Sequence, residues 1–114
     1  MINKIKKNIA IGSTGSSTGF GAVDALLNNS ELKFSRVFAC DINPAYLIAA
    51  SHIADGYIRL PQLQIEDQCE AIAEMLLLNK VDVFYPIHDK EIKIVATNKH
   101  IFDQYNIIAC CSDE

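Results

Sequence analysis

The chain has no tryptophan, no Cys-x-x-Cys pair and no long apolar run. Each absence excludes something. No stretch approaches the ~20 apolar residues that a membrane-spanning helix requires, so the sequence predicts no membrane partner. The opening, MINKIKKNIAIG, carries charge but neither the apolar core nor the small-residue cleavage site of a secretory leader. The expected location is the cytoplasm. The four cysteines, Cys40, Cys69, Cys110 and Cys111, lack metal-ligand spacing. Cys40, Cys69 and Cys110 fall at expected core positions, where a thiol behaves as a small hydrophobe, and reduced cysteines fit a reducing compartment. A basic footprint is also missing. The net charge is −4, and Lys4, Lys6 and Lys7 form the only basic cluster, ahead of the first strand. That cluster reads as a solvated terminus, and nucleic acid is not an expected partner. There is no repeat and no low-complexity segment.

What remains is a chain of 114 residues, half of them hydrophobic and about a fifth charged. That is globular composition and suits one domain. Glycine is scarce but concentrated. Of five glycines, four lie in Ile9–Gly21, IAIGSTGSSTGFG, with three serines and two threonines. An apolar strand (Ile9, Ala10, Ile11) runs into a glycine loop and then into a helical pattern. This is how nucleotide-binding α/β folds begin: the glycines allow a close backbone approach, and the following helix aims its first amides at an anion.

Strand and helix patterns alternate from there. Strand one spans about Asn8–Ile11 and helix one about Gly19–Asn28, with Ala22, Val23, Ala25, Leu26 and Leu27 as its apolar face. Strand two, Arg36–Cys40, finishes at Asp41. Asn43-Pro44 predicts a helix start, with Asn43 as cap and Pro44 in the first position. That helix runs from about Pro44 to Ser51 and is closed by Gly56. Strand three is Tyr57–Leu60, stopped by Pro61. A long helix follows over about Ile65–Asn79, with Ile65, Cys69, Ile72, Ala73, Leu76 and Leu77 inward and Met75–Leu78 as core. Strand four is Asp82–Tyr85, a helix covers about Lys90–Lys99, and strand five is Asn106–Cys110. Right-handed crossovers then give an α/β fold, a Rossmann-like doubly wound five-stranded parallel sheet of order 3-2-1-4-5. The crevice of such a sheet lies beyond the carboxyl ends of its strands. Gly12–Gly21, Asp41–Pro44 and Pro86–Glu91 converge there.

Two readings of these segments stay open. Thr14-Gly15-x-x-x-Gly19-x-Gly21 resembles the glycine turn of short-chain dehydrogenases, and Asp41 would then bind an adenosine ribose. That resemblance implies an NAD(P)-binding domain. It stops at the first turn: strand four ends in YPIHDKE rather than an Asn-Asn-Ala-Gly segment, and no Tyr-x-x-x-Lys pair occurs.

The second resemblance covers about Asn8 to Glu114. The glycine loop, then Asp41-x-Asn43-Pro44 with alanines and Ala54-Asp55 after it, then Pro86-x-x-Asp89-x-Glu91, resemble the N-terminal, pre-ATP-grasp domain of carbamoyl-phosphate-synthase-like ATP-grasp ligases. The resemblance implies a substrate-side domain, not catalytic alone, within a longer ligase. ATP and magnesium would bind to ATP-grasp domains following in the same chain, with none held tightly here, and a small-molecule acceptor would enter the shared pocket. It carries over Gly12, Ser13, Thr14, Gly15 and Ser16 as the first loop and Pro86, Asp89 and Glu91 as the second. Where relatives have arginines in the glycine loop, this chain has serines and threonines. A domain cut from its neighbour also implies self-association through an uncovered apolar face. A plain interaction module is a third reading.

Each site residue has a local alternative. Asp41 can cap its turn, and Asn43-Pro44 can serve only to start a helix. His88 beside Asp89 has the form of an acid–base pair or of a solvated loop. His52 and His100 sit at expected helix ends, and Asp89 and Glu91 suit a helix N-terminus.

Overall fold

The computed structural model describes residues 7–29, 35–61 and 67–111. Lys4, Lys6, Ile65 and residues 112–114 lie outside them. Five parallel strands form one sheet in the order β3-β2-β1-β4-β5, as the crossover rule requires. The strands are β1 (Ile9–Ile11), β2 (Val37–Asp41), β3 (Gly56–Arg59), β4 (Val83–Tyr85) and β5 (Ile108–Ala109). Ala10 sits in register between Phe38 and Phe84, and Ile11 between Ala39 and Tyr85.

Both faces of the sheet are covered, so β1 and β2 are apolar and buried along most of their length. Ala10, Phe38, Cys40, Ile58, Phe84 and Ala109 face α2 (Asp67–Leu78), α3 (Asp89–Thr97) and α4 (Lys99–Gln104) through Cys69, Ile72, Leu76, Val95 and Phe102. The rings of Phe84 and Phe102 stack at 6.0 Å. On the other face Ile9, Ile11, Val37, Ala39 and Val83 pack with Val23 of α1 (Ser17–Leu27) and with Ile48 and Ala50. Among the described residues no helix is long and apolar enough to cross a membrane.

Several local expectations are corrected. Helix α1 starts two residues early because Ser16 caps it, its hydroxyl oxygen accepting from the Gly19 amide at 3.1 Å. Ala25 is exposed on that helix. The helix expected over Pro44–Ser51 is two 3₁₀ turns, Ala45–Leu47 and Ala49–His52. Ile48 between them is extended (φ −115°, ψ 108°), which breaks the α-helical ladder. Asn43 is not a cap, because its amide and side chain are bonded to Asp41. Pro44 precedes the first turn instead of opening a helix. Gly56 belongs to β3, where the ring of Phe38 lies against it, rather than closing a helix.

The helix expected over Lys90–Lys99 becomes α3, a break at the buried Asn98, and α4. His100 therefore lies inside a helix. In the Met75–Leu78 run only Leu76 is fully buried; Leu77 and Leu78 are 49% and 82% exposed as the last turn of α2 rotates away from the sheet. Cys110 is half-buried rather than core, whereas Cys40 and Cys69 are buried.

Helices α2 and α4 end alike. Lys80 (φ 59°) and Asn106 (φ 60°) adopt the left-handed conformation. The amides of the residues after them, Val81 and Ile107, reach back to the carbonyls of Leu76 and Phe102, both at 2.9–3.0 Å. This is the Schellman arrangement.

Candidate functional site

The carboxyl ends of the strands release four segments around one cleft of about 310 Å³. From the loop after β1 come Ser13 and Ser16. The last residue of β2 and the loop after it give Asp41, Ile42 and Asn43, and Leu60 follows directly after β3. The turn from β4 into α3 gives His88, Lys90 and Glu91.

Asp41 joins two of these segments. It is buried, and its Oδ2 accepts from the Gly15 amide at 2.9 Å. Its Oδ1 accepts from the Asn43 amide at 3.1 Å and from Asn43 Nδ2 at 3.0 Å. The carbonyls of the same loop are held by β3. Tyr57 donates its hydroxyl to the Asn43 carbonyl, and Arg59 Nε donates to the Ile42 carbonyl at 2.9 Å. Burial, then the negative charge of Asp41, pushes the Tyr57 hydroxyl up to about 12, so it remains a donor at neutral pH.

Glu91 joins the turn after β4 to the loop after β1. Its Oε1 accepts from the Ile87 amide at 3.1 Å and from the Ser13 hydroxyl at 3.3 Å. Burial raises its proton affinity, and Asp41 adds to that. The bonds from Ile87 and Ser13 and the charge of His88 oppose the rise. Ser13 reaches Glu91 from a left-handed backbone (φ 53°), a conformation uncommon outside glycine. His88 caps α3, its Nδ1 accepting from the Lys90 amide at 3.2 Å.

Four amides of the glycine loop donate to acceptors within its turn and the neighbouring strand ends. Gly12 donates to the Tyr85 carbonyl, Thr14 to that of Cys40 and Ser16 to that of Ser13. Gly15 donates to Asp41.

The expected site residues thus divide. Ser13, Ser16, Asp41, Asn43, His88 and Glu91 meet at the cleft. Gly12 is buried beneath the Glu91 carboxylate. Thr14 turns inward, its hydroxyl donating to the Cys40 carbonyl at 3.0 Å. Gly15 is bonded to Asp41, Pro86 is buried, and Asp89 is exposed in the first turn of α3. Sequence reasoning placed Ile42 and Lys90 only within their converging segments and Leu60 only as the end of strand three, without singling them out. Their signal was position: each stands beside a residue already placed at a carboxyl-terminal strand end.

A cleft of this lining suits a small polar molecule, with Asp41 buried, Ser13 and Glu91 half-buried, and Ser16, His88 and Lys90 exposed. Cys40 is not a nucleophile for it, since burial drives its thiol far above the usual range. Residues 9–110 match the family described as PylC-like, N-terminal domain. No curated protein matches the chain.

Proposed function

The chain belongs to the PylC-like N-terminal domain family, the pre-ATP-grasp domain of ATP-grasp ligases, and on that premise we propose that it is the substrate-side domain of a carbamoyl-phosphate-synthase-like ligase, not catalytic by itself. In such a ligase the γ-phosphoryl of ATP passes to a substrate carboxylate, giving an acyl phosphate and ADP. An amine then attacks the acyl carbon, an amide forms, and phosphate and a proton leave. In this reading ATP and magnesium belong to an ATP-grasp domain of the same chain. The cleft at the carboxyl edge of the sheet forms one wall of the acceptor pocket, and the protein acts in the cytoplasm.

One observation carries the assignment of roles. A glycine loop binds phosphate through free backbone N–H groups. Here the amides of Gly12, Thr14, Gly15 and Ser16 already donate to the chain's own acceptors. Those four amides are committed to the turn itself, beside the cleft. The dinucleotide alternative is not favoured, because Asp41 is turned to Gly15 and Asn43.

Two measurements test the proposal. The pure 114-residue chain, mixed with ATP and magnesium, is expected to show neither saturable binding nor turnover; stoichiometric turnover would sink the proposal. The encoding DNA is expected to continue beyond Glu114 into an ATP-grasp domain, and a stop codon there would remove the catalytic half of the reading.

A further inference from the structure

Asp41 and Glu91 are anions seated on donors that come from different strand ends. Asp41 receives the Gly15 amide at 2.9 Å and two N–H groups of Asn43 at 3.0–3.1 Å. Glu91 receives the Ile87 amide at 3.1 Å and the Ser13 hydroxyl at 3.3 Å. N–H and O–H groups converging at the carboxyl edge of a parallel sheet are what a phosphate takes in α/β folds. In this chain both donor sets are filled from within. The Glu91 carboxylate also occupies the space directly over Gly12.

We propose that Asp41 and Glu91 are resident anions that keep the cleft in the shape of an occupied anion site and bar the phosphate of a nucleotide from it, so that the cleft admits only neutral or cationic groups. This rests on the reading that the nucleotide binds elsewhere, and gives that reading a physical cause. An incoming phosphate would have to displace a hydrogen-bonded carboxylate and stand beside another. His88 and Lys90, the basic residues of the lining, are exposed.

The test is an amide-resolved NMR titration of the 114-residue chain with inorganic phosphate, for the wild type, Glu91→Ala and Glu91→Gln. The alanine variant frees the Ser13 hydroxyl and the Ile87 amide, and alanine is a good helix former in the first turn of α3. It is expected to bind phosphate at least about tenfold more tightly than the wild type, with saturable shifts at Ile87 and Ser13. Added acetate should compete, as a replacement for the missing carboxylate. Glu91→Gln keeps the shape and removes the charge, so it should gain affinity by a smaller factor. The proposal is overturned if the wild type already binds phosphate through these amides. A well-folded alanine variant that gains nothing overturns it too. Should the alanine variant not fold, equal phosphate affinity of the wild type and Glu91→Gln overturns it. Either result with an ATP-inert wild type leaves the domain assignment standing; ATP turnover by the wild type removes both.

Discussion

The Glu91 carboxylate lies so close over Gly12 that a β-carbon at position 12 would stand 2.5 Å from its Oε1. Gly12→Ala therefore has to push Glu91 off the Ile87 amide and the Ser13 hydroxyl. The expected loss is about 1–3 kcal/mol. In a Glu91→Ala background the same change should cost markedly less, because the obstacle is gone. Denaturant unfolding of both single variants and the double variant measures that coupling; strictly additive losses would show that the two residues do not press on each other.

Gly19 and Gly21 are two residues apart in α1 and should respond in opposite directions. A β-carbon at Gly19 would lie 2.4 Å from the Ser13 carbonyl oxygen and 2.7 Å from the Thr14 Cα, which are backbone atoms that cannot step aside. Gly19→Ala is expected to cost about 3 kcal/mol or more. At Gly21 nothing lies within 4 Å. Gly21→Ala should stabilise the protein by roughly 0.5–1 kcal/mol, by removing freedom from the unfolded chain. Thermal unfolding of the two variants decides it, and a destabilised Gly21→Ala would contradict the placement of that residue.

The left-handed Lys80 sits where a helix end most often has glycine. Lys80→Gly should raise stability by a few tenths to about 1 kcal/mol, the relief of the β-carbon strain outweighing the added freedom of the unfolded chain. Asn106→Gly, at the matching end of α4, should gain less, since asparagine tolerates that conformation. Equal unfolding midpoints for Lys80→Gly and the wild type would refute the difference.

Glu91 supplies a pH dependence. Its folded-state proton affinity is raised above the ordinary carboxyl value of 4.5, chiefly by burial. The folded protein thus holds this proton more tightly than the unfolded chain does. The contribution to stability is full below the ordinary value and is lost as pH rises through the raised one. Relative to Glu91→Gln, the wild type should lose stability as pH rises through the window just above 4.5. Urea unfolding of both proteins across that range provides the difference; a gap that is constant with pH, or that runs the other way, would show that burial does not govern this carboxyl.

The sheet order was legible because alternating β and α patterns leave few right-handed windings, and the cleft because such sheets open at their carboxyl ends. The residues around Ile48 were not. An α-helix and two 3₁₀ turns share the same short-range pattern, and the choice here follows from the extended Ile48 and from Asn43 binding Asp41. Helix α4 escaped notice because it has six residues and fully buries a single one, Phe102. The role of Glu91 was hidden for another reason. Ser13, to which it is bonded, lies 78 positions away, and local electrostatics at the start of α3 accounted for a carboxylate without it.

No described glycine adopts a positive φ; the left-handed residue in the glycine loop is Ser13. The glycines at 12 and 19 are therefore gauges of proximity, marking where another segment comes within touching distance. Their inheritance should follow that rule. In descendants whose residue 91 is shortened, position 12 is released to accept alanine or serine. Position 19 stays fixed, because what presses on it is main chain that no substitution can trim.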